Sequence, residues 1–181
     1  MKTLVILGSR NTSGQTARAA SALAEGVEGS VETVFLPQLD LKRCEQCDDD
    51  GWGTCRSEGR CKLDDDFEGL VGRVRDADLV VFATPVYFSD LSESMKAFLD
   101  RLRRICRFSD ADGIRGKRAV GICMAGGGGG GAPRCASILD AILAKCGFDV
   151  VDMIPVRRQN LDLKIELLRA TGRWLSAWQP S

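Results

Sequence analysis

Thr3-Leu-Val-Ile-Leu7 runs straight into Gly8-Ser-Arg-Asn-Thr-Ser-Gly-Gln-Thr16, and this junction decides the fold. An apolar run of this length, closed by turn-forming residues, reads as a buried strand. Behind the turn, Ala20, Leu23, Ala24 and Val27 recur at helical spacing. Strand, turn and helix in that order are the first half of a βαβ unit.

The alternation continues to the end of the chain. Val31-Glu-Thr-Val-Phe35 is a second, alternating strand, and residues 36–63 form a polar, Cys-rich excursion. Asp64 to Asp66 precede a helix striped by Phe67, Leu70, Val71 and Val74. Asp65 and Glu68 are spaced as a capping box, with Asp in the Ser/Thr place. Leu79-Val-Val-Phe-Ala83 is an uninterrupted apolar strand. The next helix, from about Ser92 to Arg107, carries Leu91, Met95, Phe98, Leu99 and Leu102 on one face. Ala119 to Met124 is the fourth strand. Ile138, Leu139, Ile142, Leu143 and Cys146 stripe a helix that Gly147 closes. Val150 to Val156 is a fifth strand, interrupted by Asp152. A C-terminal amphipathic helix at about 162–178 carries Leu167, Leu168, Trp174, Leu175 and Trp178.

This order predicts an α/β fold: a parallel sheet with helices on both faces. The apolar strands, first, third and fourth, belong in its centre, and the more polar second and fifth at its edges. A doubly wound five-stranded sheet of flavodoxin-like order 2-1-3-4-5 meets both conditions. Its ligand crevice lies at the carboxyl ends of the first and third strands. The 181 residues read as one such domain spanning 1–181.

Composition narrows the function. The chain is 44% hydrophobic and 28% charged, as soluble globular proteins are. Lys plus Arg is 25 and Asp plus Glu is 25, and a nucleic-acid binder would carry a basic surplus. The apolar run near the N-terminus is too short for a signal-peptide core or a membrane span, so the expectation is a cytoplasmic protein without a membrane partner. There is no His. That removes His-based triads, His-ligated metals and imidazole general bases. Any catalysis falls to a cofactor, a thiol or a carboxylate.

Parallel topology brings residues 8–15, 84–91, 125–133 and the excursion 36–63 to one sheet edge. The first segment offers hydroxyls, amides and helix N-terminal N–H groups, a phosphate cradle. It lacks the Lys of a Walker A loop and is not G-x-G-x-x-G. Its other reading is a Ser/Thr-capped turn. Thr84-Pro-Val-Tyr-Phe88 holds the only Tyr in the chain beside Phe88, which suits a flat aromatic ligand. The alternative is a turn whose aromatics complete the core. Ala125 is followed by six consecutive Gly, whose backbone can approach a ligand closely or simply stay flexible.

Gly8 to Thr16, Ala83-Thr-Pro-Val-Tyr-Phe88 and Met95-Lys-Ala-Phe-Leu-Asp-Arg101 together resemble the flavodoxin-fold NAD(P)H-dependent FMN reductases. The Cys-rich loop ending Cys61-Lys-Leu-Asp-Asp-Asp66 resembles their iron–sulfur flavoprotein branch. The likeness runs from residue 1 to about 155. It implies non-covalent FMN, NAD(P)H as co-substrate and a quinone, flavin or other electron acceptor. The implied FMN residues are Ser9, Arg10, Asn11, Ser13, Gly14, Gln15 and Thr16 for the phosphate end. Thr84, Pro85, Val86, Tyr87 and Phe88 lie against the ring, with Ala125, Gly126, Gly127 and Gly128 on its other side. It also implies a homodimer or homotetramer. The missing His fits, because hydride passes directly from nicotinamide to flavin and needs no protein base. An electron carrier between proteins and a Cys-loop redox or metal sensor are the alternative functions. The even charge balance favours the reductase over an acidic carrier.

Cys44-x2-Cys47-x7-Cys55-x5-Cys61 puts four thiols in eighteen residues. The set suits a [4Fe–4S] cluster, a zinc ion, or reduced and disulfide-capable thiols without metal. Cys106, Cys123, Cys135 and Cys146 read as buried, inert thiols. The basic stretch Arg101, Arg103, Arg104, Arg107, Arg115, Lys117 and Arg118 reads either as a solvated face or as a place for an NADP phosphate.

Overall fold

In a computed structural model of the protein, residues 1–108 and 113–178 are described. The expected domain span therefore includes four internal positions and three C-terminal ones that lie outside the described residues. Five parallel strands, β1 (Lys2–Leu7), β2 (Ser30–Phe35), β3 (Leu79–Pro85), β4 (Arg118–Ala125) and β5 (Asp149–Arg157), lie in the order β2-β1-β3-β4-β5. This is the order expected from strand polarity. The helices are α1 (Gln15–Gly26), the single turn α2 (Thr54–Ser57), α3 (Phe67–Asp76), α4 (Glu93–Phe108), α5 (Ala132–Cys146) and α6 (Leu161–Ala177).

Successive strand residues face opposite sides of the sheet. Leu4, Ile6, Val80 and Phe82 pack with the apolar stripes of α3, α4 and α5. Val5, Leu7, Val81 and Ala83 pack with α1 and α6. α1 and α6 meet closely because two glycines make room. A Cβ on Gly26 would lie 2.1 Å from the Arg169 carbonyl oxygen, and one on Gly172 would lie 2.2 Å from that of Leu23.

Two local expectations are corrected. Asp152 does not interrupt β5; the register steps from Ala119↔Val150 to Val120↔Asp152, so a bulge absorbs one extra residue. The Asp65–Glu68 capping box does not form. Asp65 Oδ1 accepts from the Phe67 N–H at 3.1 Å, but Glu68 Oε1 accepts from the Cys61 N–H at 2.7 Å. Both carboxylates are drawn into tertiary contacts with the Cys-rich loop, which outcompete the local motif.

Candidate functional site

The loops after β1, β3 and β4 touch one another at the carboxyl edge of the sheet. The Gly8 N–H donates to the Ala83 carbonyl at 2.8 Å, and Ser94 Oγ donates to the Gly8 carbonyl at 3.2 Å. Thr84 and Ser92, both buried, tie the end of β3 to the start of α4: the Ser92 N–H donates to Thr84 Oγ1 at 3.1 Å, and Thr84 Oγ1 donates to Ser92 Oγ at 3.2 Å. Gly131 closes the β4 loop against the β3 loop. A Cβ there would stand 2.9 Å from Ser89 Cα, so only Gly allows the approach.

The first loop shapes itself. Asn11 Oδ1 accepts from the Ser13 N–H at 3.1 Å and from Ser13 Oγ at 3.2 Å, while Ser9 Oγ accepts from the Asn11 N–H at 3.2 Å. Gly14 precedes α1 and supplies no side-chain cap. The first-turn N–H groups of a twelve-residue helix therefore lack side-chain partners and favour an anion. Ser9 and Thr16 are buried, Gly14 and Gln15 half-buried, and Arg10, Asn11 and Ser13 exposed.

Tyr87 and Phe88 do not complete the core; both are exposed. Tyr87 and Asp90 exchange backbone hydrogen bonds of 3.0 and 2.9 Å across Phe88 and Ser89. The two central residues have φ of 50° and 68°, the left-handed geometry that usually calls for Gly or Asn. This turn presents Phe88 to solvent at some conformational cost. Across the edge, Gly126, Gly127 and Gly128 are exposed, and a Cβ on any of them would meet nothing within 4 Å. Beside the loops runs a groove of about 620 Å³, a ligand-sized volume. Gly8, Tyr87, Ser92, Leu36 and Leu41 line it, with Arg10 and Arg43 offering guanidinium groups.

The four loop cysteines occupy a different place. Cys44, Cys47, Cys55 and Cys61 line one small cavity of about 20 Å³, room for one water, against Arg101, Arg104 and Ile105 of α4. Arg101 lies eight residues beyond the start of α4, roughly 12 Å along the helix axis from the loop edge. From Cys44 to Cys61 the Cys-rich excursion thus leaves the carboxyl edge of the sheet and docks on the middle of a helix. Among the described residues, no three Cys, Asp or Glu side chains converge as one metal ion would require.

Arg101 organises this cavity. Its side chain is 2% exposed and that of its ion-pair partner Asp65 is fully enclosed. Nη1 donates to Asp65 Oδ2 at 2.5 Å and to the Lys42 carbonyl at 2.8 Å; Nη2 donates to Asp65 Oδ1 at 2.9 Å and to Cys61 Sγ at 3.2 Å. The guanidinium also lies 4.0 Å from the Phe67 ring centroid. Burial would push the Asp65 carboxyl up. The Arg101 hydrogen bonds, those from the Lys42 and Phe67 N–H groups and the Arg101 charge outweigh it and hold the carboxyl below its ordinary value. Burial likewise disfavours charge on Arg101, and its bonds to Asp65 and Cys61 restore it. Arg104 stacks 4.0 Å from the Trp52 ring centroid and donates to the Gly51 carbonyl. The Nε groups of Arg101 and Arg104 are buried without hydrogen-bond partners in this structure.

The basic stretch is thus no single face. Arg101 is interior, Lys117 donates to the Ala77 carbonyl, and Arg118 reaches the Leu175 and Trp178 carbonyls. The loop's acidic run is also neutralised in part: Asp50 pairs with Arg56 at 3.0 Å and Asp48 with Lys62 at 3.4 Å. The other four cysteines are buried. Cys123 hydrogen-bonds to Cys135 and Cys106 to Cys146, and pairing with burial pushes the Cys123 and Cys146 thiols up. The same pairing holds the Cys106 and Cys135 thiols below their ordinary value, so the four are buried as expected but two of them lean toward the thiolate. Arg101 and Asp65 as parts of a site were missed. The available signal was an arginine three residues after Phe98 and four before Ile105, on the apolar arc of α4.

Residues 1–161 match the family described as NADPH-dependent FMN reductase. An iron–sulfur flavoprotein of Methanocaldococcus jannaschii is 32% identical over 70% of this chain and 65% of its own length. One from Archaeoglobus fulgidus is 33% identical over 56% of this chain and 46% of its own. The chain spans about half to two-thirds of the length of these curated relatives. In structure, an NAD(P)H:quinone oxidoreductase from Methanothermobacter marburgensis superposes with a TM-score of 0.74 at 21% identity, covering 100% of this chain and 98% of that one. That likeness establishes the shared fold. No helix among the described residues is long and apolar enough to cross a membrane.

Proposed function

The chain belongs to the NADPH-dependent FMN reductase family, and from that premise we propose that it is an FMN-dependent oxidoreductase drawing electrons from NAD(P)H. The observation that carries the reading is the contact of three loops around an uncapped helix N-terminus at one sheet edge. Bound there, FMN supplies the hydride-accepting chemistry. The protein's part is grip and position. The α1 N–H groups with Gln15 and Thr16 hold the phosphate, while Ser9, Asn11 and Ser13 fix the loop's shape. Pro85 to Phe88 flank the ring on one side. Gly126 to Gly128, open and without side chains, bring backbone N–H groups to the other, where charge develops on reduction. No protein base is needed. The test is FMN titration followed by NADPH and NADH oxidation with a quinone or free flavin. Quenching of flavin fluorescence and FMN-dependent turnover are expected. Protein that leaves FMN fluorescence unchanged overturns the reading.

The four loop thiols are the ligands for a [4Fe–4S] centre in this proposal. The donor set fits: four thiols line one cavity, and two buried guanidinium N–H groups beside it lack acceptors. The cavity of about 20 Å³ requires Cys44, Cys47 and Cys55 to move outward on loading, while Cys61 keeps its place on Arg101 and Glu68. Support from relatives is the iron–sulfur flavoprotein name carried by those of M. jannaschii and A. fulgidus. Assembly as a homodimer or homotetramer belongs to the same reading, with exposed Tyr87 and Phe88 at the flavin edge available to a second subunit.

A further inference from the structure

The four loop thiols are not equivalent, and the difference lies in what holds Cys61. Its backbone N–H donates to Glu68 Oε1 at 2.7 Å, and its sulfur accepts from Arg101 Nη2 at 3.2 Å. Both partners belong to the rigid body of the fold: Glu68 stands in the first turn of α3 and Arg101 in the middle of α4. Arg101 is itself fixed, since Asp65 takes both ends of its fork and the Phe67 ring covers it. Cys61 is therefore anchored to the core at main chain and side chain together. The neighbouring Cys55 also packs against the core, but it sits on the single turn α2, whose Thr54 hydroxyl donates to the Arg60 carbonyl and whose Thr54 carbonyl accepts from the Glu58 N–H, both within the same loop.

A buried cation that donates a hydrogen bond to a ligand sulfur stabilises added negative charge on that sulfur's centre. The enclosed position of the pair keeps water from screening the effect. We infer that Arg101 is the positioning and potential-setting residue of the thiol centre, acting through an N–H···S bond to a pre-placed Cys61. The inference rests on the reading that the four thiols hold an iron–sulfur centre. Arg101 is a positioning residue: it ligates nothing, and no bond is made or broken at it when the centre takes up one electron. Its charge and donor raise the reduction potential, which for such centres follows charge, hydrogen bonds to sulfur and exposure. Asp65 aims the fork and, by its own negative charge, moderates the effect.

The test uses the full chain, purified anaerobically and reconstituted with ferrous iron and sulfide. The readouts are iron content, visible spectrum and one-electron midpoint potential, with dithionite as reductant. Two variants are compared with wild type. Arg101→Lys keeps the charge but cannot span Asp65 and Cys61 together. Arg101→Gln with Asp65→Asn removes both charges without stranding either inside. For the double variant the expected result is a wild-type iron content with a lower potential. At the wild-type midpoint its reduced-to-oxidised ratio falls about tenfold, equivalent to about 59 mV for a one-electron couple. Arg101→Lys is expected to fall between the two. A loaded centre with unchanged potential in both variants overturns the inference while leaving the cluster reading intact. Wild-type protein that takes up no iron overturns both. If the double variant does not fold, as circular dichroism shows, Arg101→Lys decides: a lowered potential supports the inference and an unchanged one defeats it.

Discussion

The sheet edge and the thiol cavity, joined by one helix, are built on opposite principles. At the edge, α4 begins with Ser92 and Ser94 stitched to Thr84 and Gly8, and the working groups are largely backbone N–H, shaped by glycines and short polar side chains. Two to three turns further along the same helix, Arg101 and Arg104 face a cavity of thiols, and the working groups are side chains held by a buried ion pair. The first site is open and depends on local chain geometry. The second is closed and depends on contacts across 36 to 59 positions of sequence. In the proposed reading one helix serves two kinds of binding chemistry with little shared machinery, so each should be breakable without the other.

The largest expected effect tests that separation. Replacing Cys44, Cys47, Cys55 or Cys61 singly by Ser should reduce iron after anaerobic reconstitution from about four per chain to well under one, as loss of a thiolate ligand does. FMN affinity should stay within twofold. Cys106→Ser and Cys135→Ser, outside the cavity, should keep the iron. Iron analysis beside FMN titration reads both at once; loss of FMN in the loop variants would show that the two sites share a support.

A second expectation concerns what the cavity costs to disturb. Arg101→Met strands the Asp65 carboxylate inside the protein, and breaking a buried pair from one side costs about 3–5 kcal/mol. Lys96→Met, which breaks the half-exposed pair with Asp100 five residues earlier, should cost only about 0.3–0.5 kcal/mol. Urea unfolding of the two variants makes the contrast. The pH dependence has a definite sign. Asp65 is held below its ordinary value of 3.8 in the folded protein, so its contribution is fully present above that value. It is lost as pH falls through the lower folded value. Stability should drop on acidification below about pH 4, and Asp65→Asn should flatten that part of the curve while lowering stability at neutral pH. An unaltered acid limb would mean that other carboxylates govern it.

The edge should respond in binding rather than in folding. Gln15→Ala with Thr16→Ala removes two side-chain donors from the phosphate end of the FMN site, and FMN should weaken by about 1–3 kcal/mol. Iron content and cluster potential should not change. Titration of FMN against folded, iron-loaded protein checks both, and unchanged affinity would place the phosphate elsewhere.

The sequence carried these two regions unequally. Strand polarity was enough for the sheet order, because a buried parallel strand must be apolar on both faces and Leu79–Ala83 and Ala119–Met124 are. The edge was legible for a related reason: its parts are contiguous motifs, Gly8 to Thr16 and Thr84 to Phe88, whose meeting follows from parallel topology. The thiol cavity was legible only as a Cys count. Asp65 and Glu68 looked like a helix cap because local spacing cannot report that Arg101 and the Cys61 N–H compete for them. Arg101 looked like one more member of a basic face. A buried charge is decided by a distant partner, and no spacing rule names it.

The last expected effect is small and has the opposite sign from the rest. Phe88 is solvent-exposed with φ of 50°, and its neighbour Ser89 has φ of 68°. A non-glycine residue in this region costs about 1–2 kcal/mol, part of which Gly returns through greater freedom in the unfolded chain. Phe88→Gly should therefore stabilise the FMN-free protein by about 0.5 kcal/mol, because it relieves the turn and gives up no buried contact. The same change removes the ring that flanks the proposed flavin position, so FMN should bind less tightly to the more stable protein. Conformational cost kept at an exposed aromatic is what a ligand-facing turn would retain and a merely structural turn would shed. A variant that is both more stable and equally tight for FMN would remove Phe88 from the edge site. A variant that is less stable would show that the exposed ring supports the fold through contacts it does not make in the isolated chain, as in an assembled oligomer.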